Sequence, residues 1–199
     1  MRFIIQISFL AFLCVVSCNQ PREGLVSGTK IKPIPPVFIK SDDPQITYHQ
    51  DTLYHKGTRF SGHLFSLYPN KDSAFSGTFF NGLEEGVFVK WYPNRQMAET
   101  RIYMSGKKEG EHLGWWENGQ PKFEYHFFNG EHHQELKEWF INGKPFRFFH
   151  YNMGYEEGSE KMWWENGTVR ANYVVANGKK YGLIGLKICV NPYDSINSK

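Results

Sequence analysis

The chain has 199 residues, with 23 Lys and Arg set against 20 Asp and Glu, and three cysteines. A formal charge of +3 gives no strong field for nucleic acid or for anionic lipid. Three cysteines cannot build a disulfide framework.

Arg2 opens the chain, Phe3 to Val16 is almost wholly apolar, and small Ser17 precedes Cys18. This run falls short of the roughly 20 residues a membrane span needs, so 1–17 is read as a cleaved export signal. Val15-Val16-Ser17-Cys18 resembles the lipobox of bacterial lipoproteins. That resemblance implies lipidation of Cys18 as the new N-terminus, three acyl chains holding where one is marginal. Removal of the signal takes Arg2, leaving 22 basic and 20 acidic residues and a charge of +2. Cys14 leaves with the signal. Cys189, between Ile188 and Val190, is read as a buried, inert thiol.

Residues 18–45 are proline-rich (Pro33, Pro35, Pro36, Pro44) and poor in rings, and are read as a flexible tether. Residues 191–199 carry no apolar pattern and are read as a loose tail. The folded domain is expected over 46–190.

Within it, Leu67, Trp91, Trp115, Trp139 and Trp163 recur at a fixed step of 24. A second ring follows each: Tyr68, Tyr92, Trp116, Phe140 and Trp164. Asn70, Asn94, Asn118, Asn142 and Asn166 keep the same step, as do Gly82, Gly106, Gly130, Gly154 and Gly178. A register held this long without an insertion marks a tandem array of one small unit.

In each unit two ring-rich runs flank Asn118-Gly119, Asn142-Gly143 or Asn166-Gly167, with Asn94-Arg95 and Asn70-Lys71 as weaker versions. Asn-Gly between such runs predicts a hairpin closed by a type I′ turn, with positive φ at both residues. A second turn at Gly106, Gly130, Gly154 or Gly178 joins one unit to the next. The predicted fold is all-β: an elongated single-layer antiparallel meander of 24-residue hairpins. Glu131 to Phe140 is rich in helix formers, but its register predicts a strand.

A two-residue turn at Asn94-Arg95 would pair Tyr92 with Met97, Lys90 with Glu99, and Phe88 with Arg101. One face then collects Tyr92, Met97, Tyr103, Trp116, Pro121, Phe123, Tyr125, Phe127, Phe140, Phe149, Tyr151, Trp164, Val169, Tyr173 and Val175. The other carries a tryptophan spine (Trp91, Trp115, Trp139, Trp163) with charged residues between. Either twist and long side chains cover the greasy face locally, or something else does.

Chemistry is sparse. Adjacent His132 and His133 should point to opposite sides of a strand, and His126 and His150 lie too far apart to share an ion. Glu84-Glu85 and Glu156-Glu157 are read as exposed turn carboxylates without a pocket. No catalytic residue, metal site or cofactor is expected, and the protein is read as non-enzymatic.

Units of Trp-Trp-Glu-Asn-Gly-Gln followed by Phe-Phe-Asn-Gly resemble MORN repeats, closest to the bacterial YwqK-type variant catalogued as antitoxins. The resemblance spans roughly Gly57 to Gly182, with Gln134 in place of a glycine and Met153 in place of an asparagine. It implies an extended sheet that binds proteins or lipids, or spaces other parts.

The leading expectation is a lipid-anchored envelope protein whose repeat sheet binds or scaffolds an envelope protein partner. Contact falls to Tyr92, Trp116, Phe140 and Trp164, and Gly119 and Gly167 join the turn glycines. A glycan-binding module on the tryptophan face, a plain spacer, and an antitoxin or immunity protein stand as alternatives. Asn19 after the anchor cysteine favours the outer membrane, and the lack of an acidic run over Asn19 to Gly24 favours its periplasmic side over surface display. Residues 181–190 break the repeat and should cap the sheet edge or dock a partner strand.

Overall fold

The computed structural model describes residues 32–185, all of whose regular elements are strands. The signal, the anchor Cys18, Cys189 and the tail lie outside the described residues.

Five hairpins follow one another: Gly62–Leu67 with Ser73–Phe80, Gly86–Trp91 with Met97–Met104, and Gly110–Trp115 with Pro121–Phe128. Glu131–Trp139 with Pro145–Asn152, and Gly158–Trp163 with Val169–Ala176, complete the set. They pair antiparallel in chain order, and Lys179–Leu183 adds the last described strand of the sheet. This is the meander that the 24-residue step predicts. Glu131–Trp139 is a strand despite its helical composition, because pairing on both sides outweighs local propensity.

Two features depart from the bare array. Phe38–Lys40, inside the stretch read as tether, pairs parallel with Gly62–Leu67 and covers that edge of the sheet. Ile46–His49, Thr52–His55 and Thr58–Arg59 form a separate three-stranded sheet. Backbone bonds tie it to the array: the Leu53 amide donates to the Gly82 carbonyl (2.8 Å) and the Gly82 amide to that of Phe60 (2.7 Å). Leu53 and Phe60 share one buried cluster with Ile39, Leu64, Phe79, Phe88 and Tyr103. The greasy face therefore has a second layer, at its N-terminal end.

The turns exchange the geometries expected of them. At Tyr92-Pro93-Asn94-Arg95 the Arg95 amide donates to the Tyr92 carbonyl and only Arg95 has positive φ (69°). Gly119, Gly143 and Gly167 repeat this with φ of 86°, 78° and 89°, so these are type I turns with a left-handed fourth residue. The two-residue turns with both residues at positive φ are the connections between units, such as Ser105-Gly106 (52°, 81°) and Asn129-Gly130 (53°, 95°). Asparagine is needed in the hairpin for its side chain. The Oδ1 atoms of Asn94, Asn118, Asn142 and Asn166 accept from the amides two residues on. The Nδ2 of Asn118 also donates to the Ile141 carbonyl of the next unit (2.9 Å).

Away from the turns the expected register holds, with Lys90 opposite Glu99 and Phe88 opposite Arg101. At the turns a bulge shifts it, and Trp91, Trp115 and Trp163 stand opposite Met97, Pro121 and Val169. Those three partners were expected on the greasy face.

On the greasy face, one position per unit is buried throughout: Leu64, Phe88, His112, Leu136 and Glu160. Each buried apolar side chain at this column contributes about 1.5–3 kcal/mol relative to exposure. Beyond the small sheet, long cations cover the rings, with Arg101 over Phe123 (5.8 Å), Lys108 over Phe127 (5.0 Å) and Arg147 over Phe149 (5.7 Å).

Candidate functional site: a two-ended cleft under the small sheet

The four expected contact residues fall in one column at the hairpin ends, but most are engaged within the array. The hydroxyls of Tyr68 and Tyr92 donate to the carbonyls of Trp91 (2.7 Å) and Trp115 (2.9 Å), and Trp116 Nε1 to that of Trp139 (3.1 Å). Lys122 lies over the Trp116 ring at 4.5 Å, and Phe140 packs on Phe146. Trp164, with Arg170 over its ring, is the exposed member of the column. In the first three units the second ring thus ties its unit to the next.

On the other face Trp91, Trp115, Trp139 and Trp163 are half-buried. Phe148 meets Trp139 and Trp163 edge-on, at 67° and 73°, so these two rings do not continue as a flat row. Glu111, Glu124 and His126 come within 4.8 Å of one another there. Lys137 already holds Glu124 at 3.2 Å. His132 and His133 lie on opposite sides of their strand, as expected. His132 packs against Phe127 and Tyr151 and His133 against Phe128.

A concavity lies where the small sheet overhangs the first units on the greasy face. It is a cleft of about 700 Å³. Its apolar floor is Leu64, Phe75, Phe79, Phe88 and Tyr103, with ring centroids 5.8 Å (Phe75–Phe88), 5.5 Å (Phe79–Phe88) and 4.9 Å (Phe88–Tyr103) apart. Tyr48, Gln50 and Asp51 reach in from the overhanging sheet.

The two ends carry opposite charge. Toward the hairpin turns, Glu99 is held by Lys90 at 2.6 Å and Arg101 at 2.7 Å. Burial pushes the Glu99 carboxyl up, but these two partners overcome it and hold it below the usual range. One carboxylate facing two cations leaves that end positive. At the other end lie Glu84, Asp51 and Lys108. Burial, and then the charge of Asp51, push the Glu84 carboxyl up, with Arg101 and Lys108 opposing. Burial and the Glu84 charge likewise raise the hydroxyls of Tyr48 and, with Arg101 opposing, Tyr103. Lys108 sets its ammonium over the Phe127 ring in the next unit at 5.0 Å and bonds neither carboxylate.

Two expectations about the glutamates fail here. Glu85 is 2 % exposed, and its Oε2 accepts the Ser105 amide at 2.9 Å. Glu109 does the same for the Asn129 amide at 2.8 Å. Both carboxylates satisfy the left-handed first residue of a connecting turn, so Glu85 is not the exposed turn carboxylate that was expected. Glu84 lines the cleft because the small sheet covers its side of the array. The cleft was not legible from spacing, since Ser41, Tyr48, Gln50 and Asp51 of its lining lie outside the 24-residue register.

No family model matches the chain, and no curated protein matches it. Among solved structures, the chain is similar to a chain in the crystal structure of the GtfA/B complex bound to UDP and GlcNAc. The match has 8% identity and a TM-score of 0.22, covering 72% of this chain and 27% of that one. At that score the likeness carries no argument about fold or function.

Proposed function

We propose that this protein is a non-enzymatic, lipid-anchored envelope protein whose repeat sheet is a binding scaffold, and that its protein partner engages the cleft. The observation that carries the reading is the cleft itself. A concavity of about 700 Å³, with an apolar floor and polar groups at both ends, has the size and lining of ordinary binding sites. It sits on strands held by pairing on both sides, which presents its groups with little freedom to lose on binding. The resemblance to MORN repeats agrees with a binding or scaffolding role. The anchor rests on the lipobox-like Val15-Val16-Ser17-Cys18, Asn19 supports the outer membrane, and the lack of an acidic run after it supports the periplasmic side.

Tyr48 is exposed at the cleft rim, so Tyr48→Ala changes the site without touching the core. Partners recovered from solubilised membranes with the wild type, Tyr48→Ala and Trp116→Ala separate the two candidate surfaces. The cleft reading expects loss with Tyr48→Ala and retention by Trp116→Ala protein that remains folded. The reverse pattern would return the site to the hairpin-end rings.

A further inference from the structure

We infer that the cleft seats an ammonium group carried on an aliphatic chain, held by the carboxylates of Glu84 and Asp51 beside the rings of Tyr48 and Tyr103. The inference rests on the binding reading above and names the chemistry that the same site recognises.

Four observations converge on that end of the cleft. Glu84 and Asp51 both line it, and among the described residues neither carboxylate accepts a hydrogen bond or forms an ion pair. This contrasts with Glu85, Glu99, Glu109 and Glu138, each of which has its partner. Arg101 and Lys108 act on Glu84 through space without bonding it, and the Lys108 ammonium lies over the Phe127 ring at 5.0 Å. Tyr48 and Tyr103 supply aromatic rings beside the two carboxylates, and a cation is attracted both to a ring face and to a charge. The apolar floor of Phe79 and Phe88 then runs away from this end, so a methylene chain behind the ammonium replaces water over rings.

The ends also set direction. Glu99 is already held by Lys90 and Arg101, so the carboxylates left without a bond are those of Glu84 and Asp51, and the chain enters ammonium-first toward them. A fully anionic ligand meets the carboxylates of Glu84 and Asp51, and a neutral one leaves them unpaired on desolvation. Two sources carry the required group: a lysine side chain in a protein segment, or a free polyamine.

The test is calorimetric titration of the folded protein with 1,5-diaminopentane, a blocked Ala-Lys-Ala peptide and spermidine, with pentane-1,5-diol and glutarate as controls. Amines should bind and the controls should not. The Glu84→Gln, Asp51→Asn double variant should lose about tenfold or more in amine affinity, as for removal of a charge-assisted bond. Glu111→Gln, on the opposite face, should leave it unchanged. An unchanged thermal transition in the double variant shows that the loss is local. Tighter binding of the peptide assigns the group to a protein segment, and tighter binding of spermidine assigns it to a free polyamine; both support the ammonium. Equal binding of glutarate or the diol, or indifference to the double variant, overturns it. A membrane partner lost with Tyr48→Ala but kept by the double variant leaves the scaffold reading standing and removes this one. Amine binding without any partner at the cleft does the opposite.

Discussion

The phenolic hydroxyl of Tyr92 donates a 2.9 Å hydrogen bond to the backbone carbonyl of Trp115, 23 residues along the chain. Tyr68 and Trp116 make the equivalent bond one unit before and one unit after. This link explains why the position after each tryptophan is so often a ring with a polar tip: the ring packs and the tip closes the next unit's turn. Tyr92→Phe keeps the ring and removes the bond. It should cost about 1 kcal/mol, read as a lower urea midpoint with an unchanged slope. No change in midpoint would show that the bond is not used.

Much of the fold was legible for the same reason. A fixed 24-residue step constrains strand, turn and neighbour together, and it outweighed the helix-forming composition of Glu131–Trp139. Turn type was not legible, because Asn-Gly suits both geometries. Asn118-Gly119 places positive φ on glycine alone, whereas Asn129-Gly130 places it on both residues. What separates them is the Asn118 side chain, bonded to the Gln120 amide and to Ile141 of the next unit, which no dipeptide rule contains. The cleft was hidden further, since its overhanging sheet lies outside the repeat.

His112 and Glu160 occupy the buried column that Leu64, Phe88 and Leu136 fill elsewhere. Burial pushes Glu160 up from 4.5 to about 7, against the bond from the His150 amide. Between those values the folded protein keeps a proton that the unfolded chain has released. This contribution is complete below 4.5 and is lost as pH rises through 7. Burial pushes His112 down from 6.5 to about 4, although its Nε2–H donates to the Ile102 carbonyl at 2.8 Å. Its contribution is complete above 6.5 and is lost as pH falls through 4. The two slopes oppose each other over the shared window, each worth up to about 3 kcal/mol. Glu160→Leu should therefore make stability fall on acidification from pH 7 to pH 4.5, and His112→Phe should make it rise. Parallel pH profiles for both variants would contradict the assignment.

Gln134 and Met153 hold left-handed conformations, φ 65° and 48°, where sister units place Gly86, Gly110 and Gly158, or Asn129 and Asn177. A side chain that does not favour this region costs on the order of 1 kcal/mol. Gln134→Gly and Met153→Asn should each raise stability by about 0.5–1 kcal/mol. Thermal melts of the two variants check this, and a lower transition in either would show that the side chain contributes more than the strain removes.

Gly114 is a glycine for space, not for φ. A methyl there would overlap the ring of Phe123, which lies directly across the strand pair. Gly167 has open space around it but a φ of 89°. Gly114→Ala should cost about 1–3 kcal/mol through overpacking, and Phe123→Leu should relieve part of it. Gly167→Ala should cost about 1 kcal/mol with no second-site relief. A double-mutant cycle showing no coupling between positions 114 and 123 would remove the packing argument.

The most direct measurement is photo-crosslinking in intact cells from three single positions. Tyr48 lies at the cleft rim, Trp164 in the hairpin-end column, and Lys161 on the tryptophan face. The account predicts one discrete protein adduct from position 48, competed by an amine that binds the cleft, and none from 161 or 164. Adducts from 164 or 161 with none from 48 would contradict it.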